Sequence, residues 1–553
     1  MAAAIQSVAY RETSHFLELT MILKTLGTAL MAIGLLTGAA LAQAETVRWA
    51  RSADPTTLDP HAFNTGTNFV LLHQMYETLV NRSADGKLEP LLATEWKMLP
   101  NNPSVWEFKL RPNVKFHDGS TLTAQDVVFS LKRAQGPNAQ VKSLLASMED
   151  AVAVDALTVH VKTKGPNLIF PNNLTNLFIM SEKWARANNA AETQDTTNKS
   201  ENGATRAAMG TGAFVLATRE LDSKTVLKQN PNYWGKDKFA LDVTELVYLP
   251  IKSPATRVAA LLSGEVDFAQ DIPAQDVARL KQDTKLRINE GPENRSIFLG
   301  LNVGSPELKS SNIKGKNPLA DPKVRQAMEL AIDRDAIKRS VMRGLSNPSG
   351  IMAPSFVNGY SKAMATYRKA DVNKAKALLK DAGYPDGFTI TLHTPNDRYV
   401  NDEAISTAIA GFLGRVGIKT EVSSRPIAQH SVSIVKADSD LYLYGWGVPT
   451  YDSAYIFDFL VATRGKEGRG AQNATHYSNP DLDAKIISLS SESDKARRDA
   501  TIQQIWDVVQ KERFYIPLHD QVIHFASTKA INVPVHPDNT LLFKNVKINK
   551  NAK

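Results

Sequence analysis

Cysteine is absent from all 553 residues. That excludes disulfides, thiolate zinc sites, a cysteine nucleophile and thiol redox chemistry, and it leaves core burial to stabilise the chain. It also excludes the lipid anchor of an exported lipoprotein, which needs a cysteine at the mature end. Long apolar runs are nearly absent: residues 26–41 form one, and no other stretch is suited to spanning a bilayer. No low-complexity tract, like-charge run or internal repeat stands out. The 65 basic and 57 acidic residues leave a net charge of +8, but the basic residues are dispersed. Without a basic stripe carrying interleaved aromatics, nucleic acid is not an expected partner.

Enzyme signatures are missing as well. There is no GxSxG elbow, no GxxxxGK[ST] phosphate loop and no HExxH pair. Ser311-Asn312-Ile313-Lys314 and Ser433-Ile434-Val435-Lys436 match SxxK, but the companion KTG triplet is absent. His519 and His524 are five apart, a poor spacing for one helix face, and are expected to be structural rather than metal ligands. His61 and His117 sit in turn-like surroundings and are expected at the surface or in caps. By elimination a binding module is preferred to an enzyme, with no cofactor.

The first segment reads as an address. Met21-Ile22-Leu23-Lys24 opens a short basic region, residues 26–41 are apolar, and Ala42-Gln43-Ala44 gives the small-x-small pattern of a secretory cleavage site. Cleavage is expected after Ala44. Residues 1–20, with Arg11, Glu12 and His15, fit no part of a signal, so Met21 is the expected start. A soluble, unanchored, exported chain fits the periplasm.

The remainder alternates strand and helix patterns. Residues 46–50 read as a strand, followed by the turn-rich Asp54-Pro55-Thr56-Thr57-Leu58-Asp59-Pro60 and a helix at 69–79. Trp106-Glu107-Phe108-Lys109-Leu110 and Val114-Lys115-Phe116 suggest a hairpin across Arg111-Pro112-Asn113. Thr123 is placed to cap a helix. Residues 188–209 lack periodicity and read as a surface loop or weak helix. Ser253-Pro254 opens a helix that Gly264 closes. In the second half, a strand at 388–393, a helix through Ile405, Ile409, Phe412 and Val416, and a strand at 418–422 form a βαβ unit with parallel strands. Another strand, at 441–444, ends at Gly445-Trp446.

Ligands of open α/β sheets sit beyond the carboxyl ends of strands. Two such ends stand out. Residues 394–401 include Asn396, Asp397 and Arg398; Arg398 could grip a carboxylate bidentately near a helix start, or could be solvated or paired with Asp397 or Asp402. Gly445-Trp446-Gly447-Val448-Pro449-Thr450-Tyr451-Asp452 is a rigid aromatic loop with one acid. Trp446 and Tyr451 offer large contact surfaces for a ligand, against the alternative that Trp446 is core.

Together the motifs resemble family 5 of the bacterial solute-binding proteins, which serve importers of peptides, glutathione, nickel complexes and some oligosaccharides. The signature-like run is Trp106 to Arg111, Val114-Lys115-Phe116-His117-Asp118-Gly119 and Thr123-Ala124-Gln125-Asp126-Val127-Val128-Phe129-Ser130. Leu58-Asp59-Pro60, Tyr76-Glu77-Thr78-Leu79, Glu89-Pro90-Leu91-Leu92-Ala93, Gly210-Thr211-Gly212-Ala213-Phe214 and Asn230-Pro231-Asn232-Tyr233-Trp234-Gly235 fit the same family. So do Val324-Arg325-Gln326-Ala327, Ala331-Ile332-Asp333-Arg334 and Asn473-Ala474-Thr475-His476-Tyr477-Ser478-Asn479-Pro480.

The resemblance implies an α/β, two-lobed periplasmic-binding-protein fold of the large type II class. Lobe I would comprise 45–88, 224–300 and 513–553, with 89–223 inserted as an extra subdomain; lobe II would be 301–512. Hinge closure on a ligand would present the complex to an ABC permease in the inner membrane. A short peptide or related carboxylate compound is the first expected ligand. An opine, metal chelate or oligosaccharide, or a chaperone or sensor role in the same fold, are the alternatives, and a monomer is expected. Arg398 falls where similar dipeptide binders hold the ligand carboxylate. The Asp that such binders place three residues after the Gly-Trp tryptophan, to hold the α-amino group, is here Pro449; Asp452 is the candidate substitute. On lobe I, Thr65, Thr67 and Asn68 are the candidates.

Overall fold

The structure, a computed structural model, describes residues 45–198, 200–465 and 469–549. The expected leader, residues 1–44, lies outside the described residues. Stretches of strand period assemble into an eleven-stranded mixed sheet among the described residues. In chain order its strands are β1 (Thr46–Arg51), β2 (Phe214–Glu220), β3 (Lys224–Gln229), β4 (Glu245–Pro250), β5 (Phe268–Ala269), β6 (Leu286–Leu301), β7 (Ser346–Pro348), β8 (Phe388–Pro395), β9 (Ile418–Arg425), β10 (Leu441–Trp446) and β11 (Tyr515–Thr528). Their order is β2-β3-β4-β1-β5-β11-β6-β10-β8-β9, with β7 paired to β11.

The antiparallel pair β6 and β11 runs through the middle of this sheet and contributes to four clusters of buried side chains. Ile523 and Phe525 pack with Trp49, Phe268 and Phe543. Ile297, Leu299, Ile516 and Leu518 pack instead with Ile390, Ile409 and Leu441. The β6/β11 register shifts between Pro292 and Ser296 and again between Ile297 and Phe298, close to where one core gives way to the other. Within one compact unit that begins at Thr46, the clusters fed by residues up to about 290 and by the chain's C-terminal end are called the first body, and those fed by the stretch between the second.

The βαβ unit forms as expected. β8 and β9 are parallel, and the helix Asp402–Gly414 buries Ile405, Ile409 and Phe412. Gly417 stands at φ +98°, a left-handed conformation suited to glycine that turns the chain into β9. The hairpin expected between Trp106 and Phe116 is not made. The strand Asn102–Leu110 lies inside a four-stranded sheet, between Ala93–Leu99 and Thr158–Thr163, so neither of its edges is free. Residues 114–116 fold back on 120–122 instead, with Phe116 N–H donating to Ser120 O at 2.8 Å around Gly119.

The first helix spans Gly66–Met75 and stops short of Leu79. Buried Glu77 is the reason: its carboxylate accepts from Thr211 Oγ1 (2.9 Å), Tyr233 OH (2.7 Å), Trp234 Nε1 (2.7 Å) and Lys544 Nζ (3.1 Å). Gly210 and Gly212 let the backbones meet there, since a Cβ would lie 2.2 and 2.5 Å from the carbonyl oxygens of Met75 and Gln74.

The stretch expected as a surface loop or weak helix, described over 188–198 and 200–209, contains one short helix, Gly203–Arg206, and is tied down at several points. Ala190 O and Glu192 O accept from Arg133, and Gln194 N–H donates to Asp59. His61, expected at the surface, is fully buried in this cluster: Nδ1 accepts from Arg133 at 3.0 Å and Nε2 donates to Phe178 O at 2.9 Å. His117 is partly buried, with Nε2 3.2 Å from Gly212 O. His519 and His524 lie on β11, where His524 Nε2 donates to Ile272 O at 2.7 Å.

Candidate ligand cleft

β8 ends at Pro395, and the following turn enters the helix Asp402–Gly414. The acids near Arg398 are engaged elsewhere. Asp402 Oδ2 accepts the backbone N–H groups of Arg398 and Tyr399, both at 3.1 Å, and Asp397 Oδ1 accepts from Ile427 N–H at 2.7 Å. The Arg398 guanidinium makes no hydrogen bond or ion pair among the described residues. Its Cζ lies 5.8 Å from the Tyr399 ring centre, and Arg295 Cζ, from β6, lies 5.9 Å from the same ring. Arg295 has Glu293 at 3.1 Å. Partial loss of solvent, then the positive field of Arg295, lower the Arg398 pKa. This corner is short of negative charge, the condition that favours a bound carboxylate. Asn396 is exposed beside it.

Trp446 is the last residue of β10, paired in register with Ser296. Its ring is half-buried and belongs to an aromatic wall: Tyr444 at 6.0 Å, Tyr455 nearly parallel at 5.8 Å and Phe459 at 5.8 Å. Its Nε1–H is buried without a partner among the described residues. Core and wall readings therefore share one side chain. Tyr399 ties the two regions together, its OH donating to Gly445 O at 3.1 Å.

Tyr455 and Phe459 lead from Trp446 to a cavity of about 360 Å³ between the two bodies, whose lining includes neither Trp446 nor Arg398 nor Arg295. Pro449, Tyr455 and Phe459 line it from one side, and Asn64, Ile169 and Asn173 from the other. The residues expected from the first body are corrected here. Asn68 is buried and spends its side chain on the local turn, donating to Thr57 O and accepting from Thr65 Oγ1, each at 3.1 Å. Thr65 and Thr67 do not line the cavity; Asn64, next in sequence, does.

Asp452 is also corrected. Both its oxygens face Arg498 in a buried bidentate pair, at 2.6 and 2.8 Å. Oδ1 further accepts from Ala454 N–H and Oδ2 from Asn358 Nδ2, so four donors occupy the four lone-pair positions of the carboxylate. None is left for a ligand ammonium. Tyr451 is buried at φ +53°, its ring 4.0 Å from Arg82 Cζ of the first body and 5.0 Å from Phe356. That makes it a contact between the bodies.

Arg295, Asn64, Asn173, Tyr455 and Phe459 were not singled out by the sequence. Only the aromatic pair carried a signal, an i, i+4 spacing on one helical face. No group of three or more His, Asp or Glu side chains could hold a metal ion among the described residues.

The family model for bacterial extracellular solute-binding proteins, family 5, matches residues 87–468. The chain belongs to this family. Among curated relatives, the glutathione-binding protein GsiB of Pectobacterium atrosepticum is 28% identical over 498 residues, covering 88% of this chain and 91% of the relative. Among solved structures, HbpA2 of Haemophilus parasuis superposes with a TM-score of 0.77 at 24% identity, over 91% of this chain and 100% of that one. AgaA of A. tumefaciens R10, solved with agropinic acid, gives 0.69 at 26% identity, over 91% and 99%. Family 5 proteins are extracellular solute-binding proteins, and this chain is one of them. Among the described residues no helix is long and apolar enough to cross a membrane.

Proposed function

We propose that this family 5 protein captures a small carboxylate-bearing solute, a short peptide or peptide-like compound first, and delivers it to an inner-membrane permease. The observation that carries this reading is the unpartnered Arg398 guanidinium beside Arg295, at the head of the aromatic wall. A carboxylate there would gain charge-assisted hydrogen bonds from an exposed guanidinium that has no other partner among the described residues. The relatives named for glutathione and agropinic acid support the same chemistry. An opine-like compound is the second reading, favoured by the uncharged Pro449 on the cavity wall.

The two bodies act as lobes that close by bending where β6 and β11 shift register. Ligand touching both lobes favours the closed form. The mature chain begins after Ala44 and works as a periplasmic monomer that binds no nucleic acid.

Native mass spectrometry of the exported protein, purified without refolding and compared with its denatured mass, tests the reading. Added or co-purified carboxylate solute is expected as one discrete extra mass. A thermal-shift screen of peptides, opines, metal chelates and sugars in which only carboxylate-free compounds raise Tm would overturn it.

A further inference from the structure

We propose that the two bodies are fastened to each other without ligand, through the loop 446–452, and that Arg82, Gly86 and Asn294 act as positioning residues for that loop. This rests on the reading that the bodies move as lobes, and not on which solute they capture.

The loop continues from Trp446, the last residue of β10, and places Pro449 and Thr450 on the cavity wall. Two of its other residues are gripped by the first body. The first grip is the hairpin of strands Val80–Arg82 and Leu88–Pro90. Its tip turns at Gly86, where φ is +86°. The tip sits so close to the second body that a Cβ there would lie 2.9 Å from Phe356 O and 3.0 Å from Tyr451 Cδ1. Arg82 fixes the tip from behind. Its Nη1 donates to Gly86 O and to Asn172 Oδ1, both at 3.1 Å, and its Nη2 to Asn172 O at 3.2 Å. These bonds use the edge of the guanidinium and leave a face for the Tyr451 ring, whose centre is 4.0 Å from Cζ. Arg82 and Tyr451 are both buried, so the contact is made out of water, where such contacts are strongest.

The second grip is Asn294, in the stretch of β6 where the register to β11 breaks between Pro292 and Ser296. Its Nδ2 donates to Val448 O at 3.0 Å, and its Oδ1 accepts Val448 N–H at 3.1 Å. The same Nδ2 donates to Asp538 Oδ1 at 2.9 Å, and Asn294 N–H donates to Pro537 O at 2.7 Å. His536 joins the two grips: Nε2 donates to Arg82 O at 3.0 Å, and Nδ1 accepts Asp538 N–H at 3.2 Å. Between the held residues, Tyr451 keeps φ at +53°, a costly conformation that persists where surroundings over-determine it. All of these contacts are between protein groups. A solute therefore adds to a hold already made, and the cost of bringing the bodies together is partly met before it arrives.

The chain has no cysteine, so a pair introduced at exposed Lys236 of the first body and exposed Lys376 of the second takes spin labels at those two points alone. Double electron–electron resonance then gives the distance distribution between the bodies, on protein freed of co-purified solute and checked by native mass. Gly86→Ala, which pushes the tip off Phe356 and Tyr451, and Asn294→Ala, which releases Val448, are compared with wild type and with Ala84→Ser at the exposed tip. Circular dichroism and Tm are recorded for each. Wild type and Ala84→Ser are expected to show one narrow distance. Gly86→Ala and Asn294→Ala should each raise a second, longer-distance population about tenfold, and the double variant should raise it further. Two comparable populations in solute-free wild type, or a second population in Ala84→Ser as large as in Gly86→Ala, overturn the inference while the lobe reading stands. One unchanged distance in every variant, the double included, means that the rest of the fold fixes the bodies; the lobe reading then fails and the inference fails with it.

Discussion

The protein is expected to lose stability steeply as pH falls from about 6.5 towards 4. Four buried histidines resist protonation in the folded state: His61, His430 and His519 are lowered to about 4 and His73 to about 3, in each case first by burial. His61 is also committed as a neutral ring, because its Nδ1 accepts from the Arg133 guanidinium at 3.0 Å. Unfolded, each titrates near 6.5. Below that pH the unfolded chain binds the extra protons, so stability is present above 6.5 and lost down to the folded values. Asp520 acts in the opposite sense. Burial raises it to about 7, so the folded form takes up its proton first and gains stability between about 7 and 3.8. Asp59, lowered to about 2 by Arg133 against its own burial, matters only below 3.8.

Up to three net protons then separate the two states. At about 1.4 kcal/mol per proton per pH unit, the steepest loss is roughly 4 kcal/mol per unit. Urea unfolding at pH 7, 6, 5 and 4.5 measures it. A midpoint unchanged over that range would contradict the assignment of these histidines as neutral.

Replacing Arg133 with Ala should destabilise the fold by about 3–5 kcal/mol, because it strands a buried carboxylate. Arg133 and Asp59 are wholly buried and joined by two bonds, at 2.6 and 2.8 Å. The guanidinium also donates to Ala190 O and Glu192 O, which anchors that stretch of chain against the first body. Those bonds do not transfer to an alanine, and Asp59 would keep only His61 N–H, Gln194 N–H and Asn202 Nδ2. Denaturant titration should show a lower midpoint with an unchanged slope. A loss under about 1 kcal/mol would mean that water or a shifted backbone replaces the arginine.

These two clusters explain what was legible in the sequence. The motifs that identify the family lie far apart along the chain, and three of them meet in space, Glu77 with Thr211, Tyr233 and Trp234, while Asp59 of a fourth pairs with Arg133 just beyond a fifth. They hold the fold, so reading them revealed the family and its architecture but little of the ligand. Periodicity placed the βαβ unit and its parallel strands, because a buried helix face and strand faces leave a pattern. It misplaced the partner of residues 114–116, because edge occupancy is a long-range property.

Arg398 and Trp446 were singled out because strand ends carry local signals, and neither lines the cavity. Asp452 was misread because its partner, Arg498, is 46 residues away. Asn64 and Asn173 come to the cavity, and Arg295 to the Tyr399 ring, from distant segments, and nothing local in the sequence marks them.

The most direct measurement is the affinity of Arg398→Ala for the solute that wild type captures, by calorimetric titration with the fold checked by circular dichroism. The expected result is a loss of about 2 kcal/mol or more, roughly thirtyfold, with secondary structure intact. Undiminished affinity for a carboxylate ligand would place the binding site elsewhere and contradict the central claim.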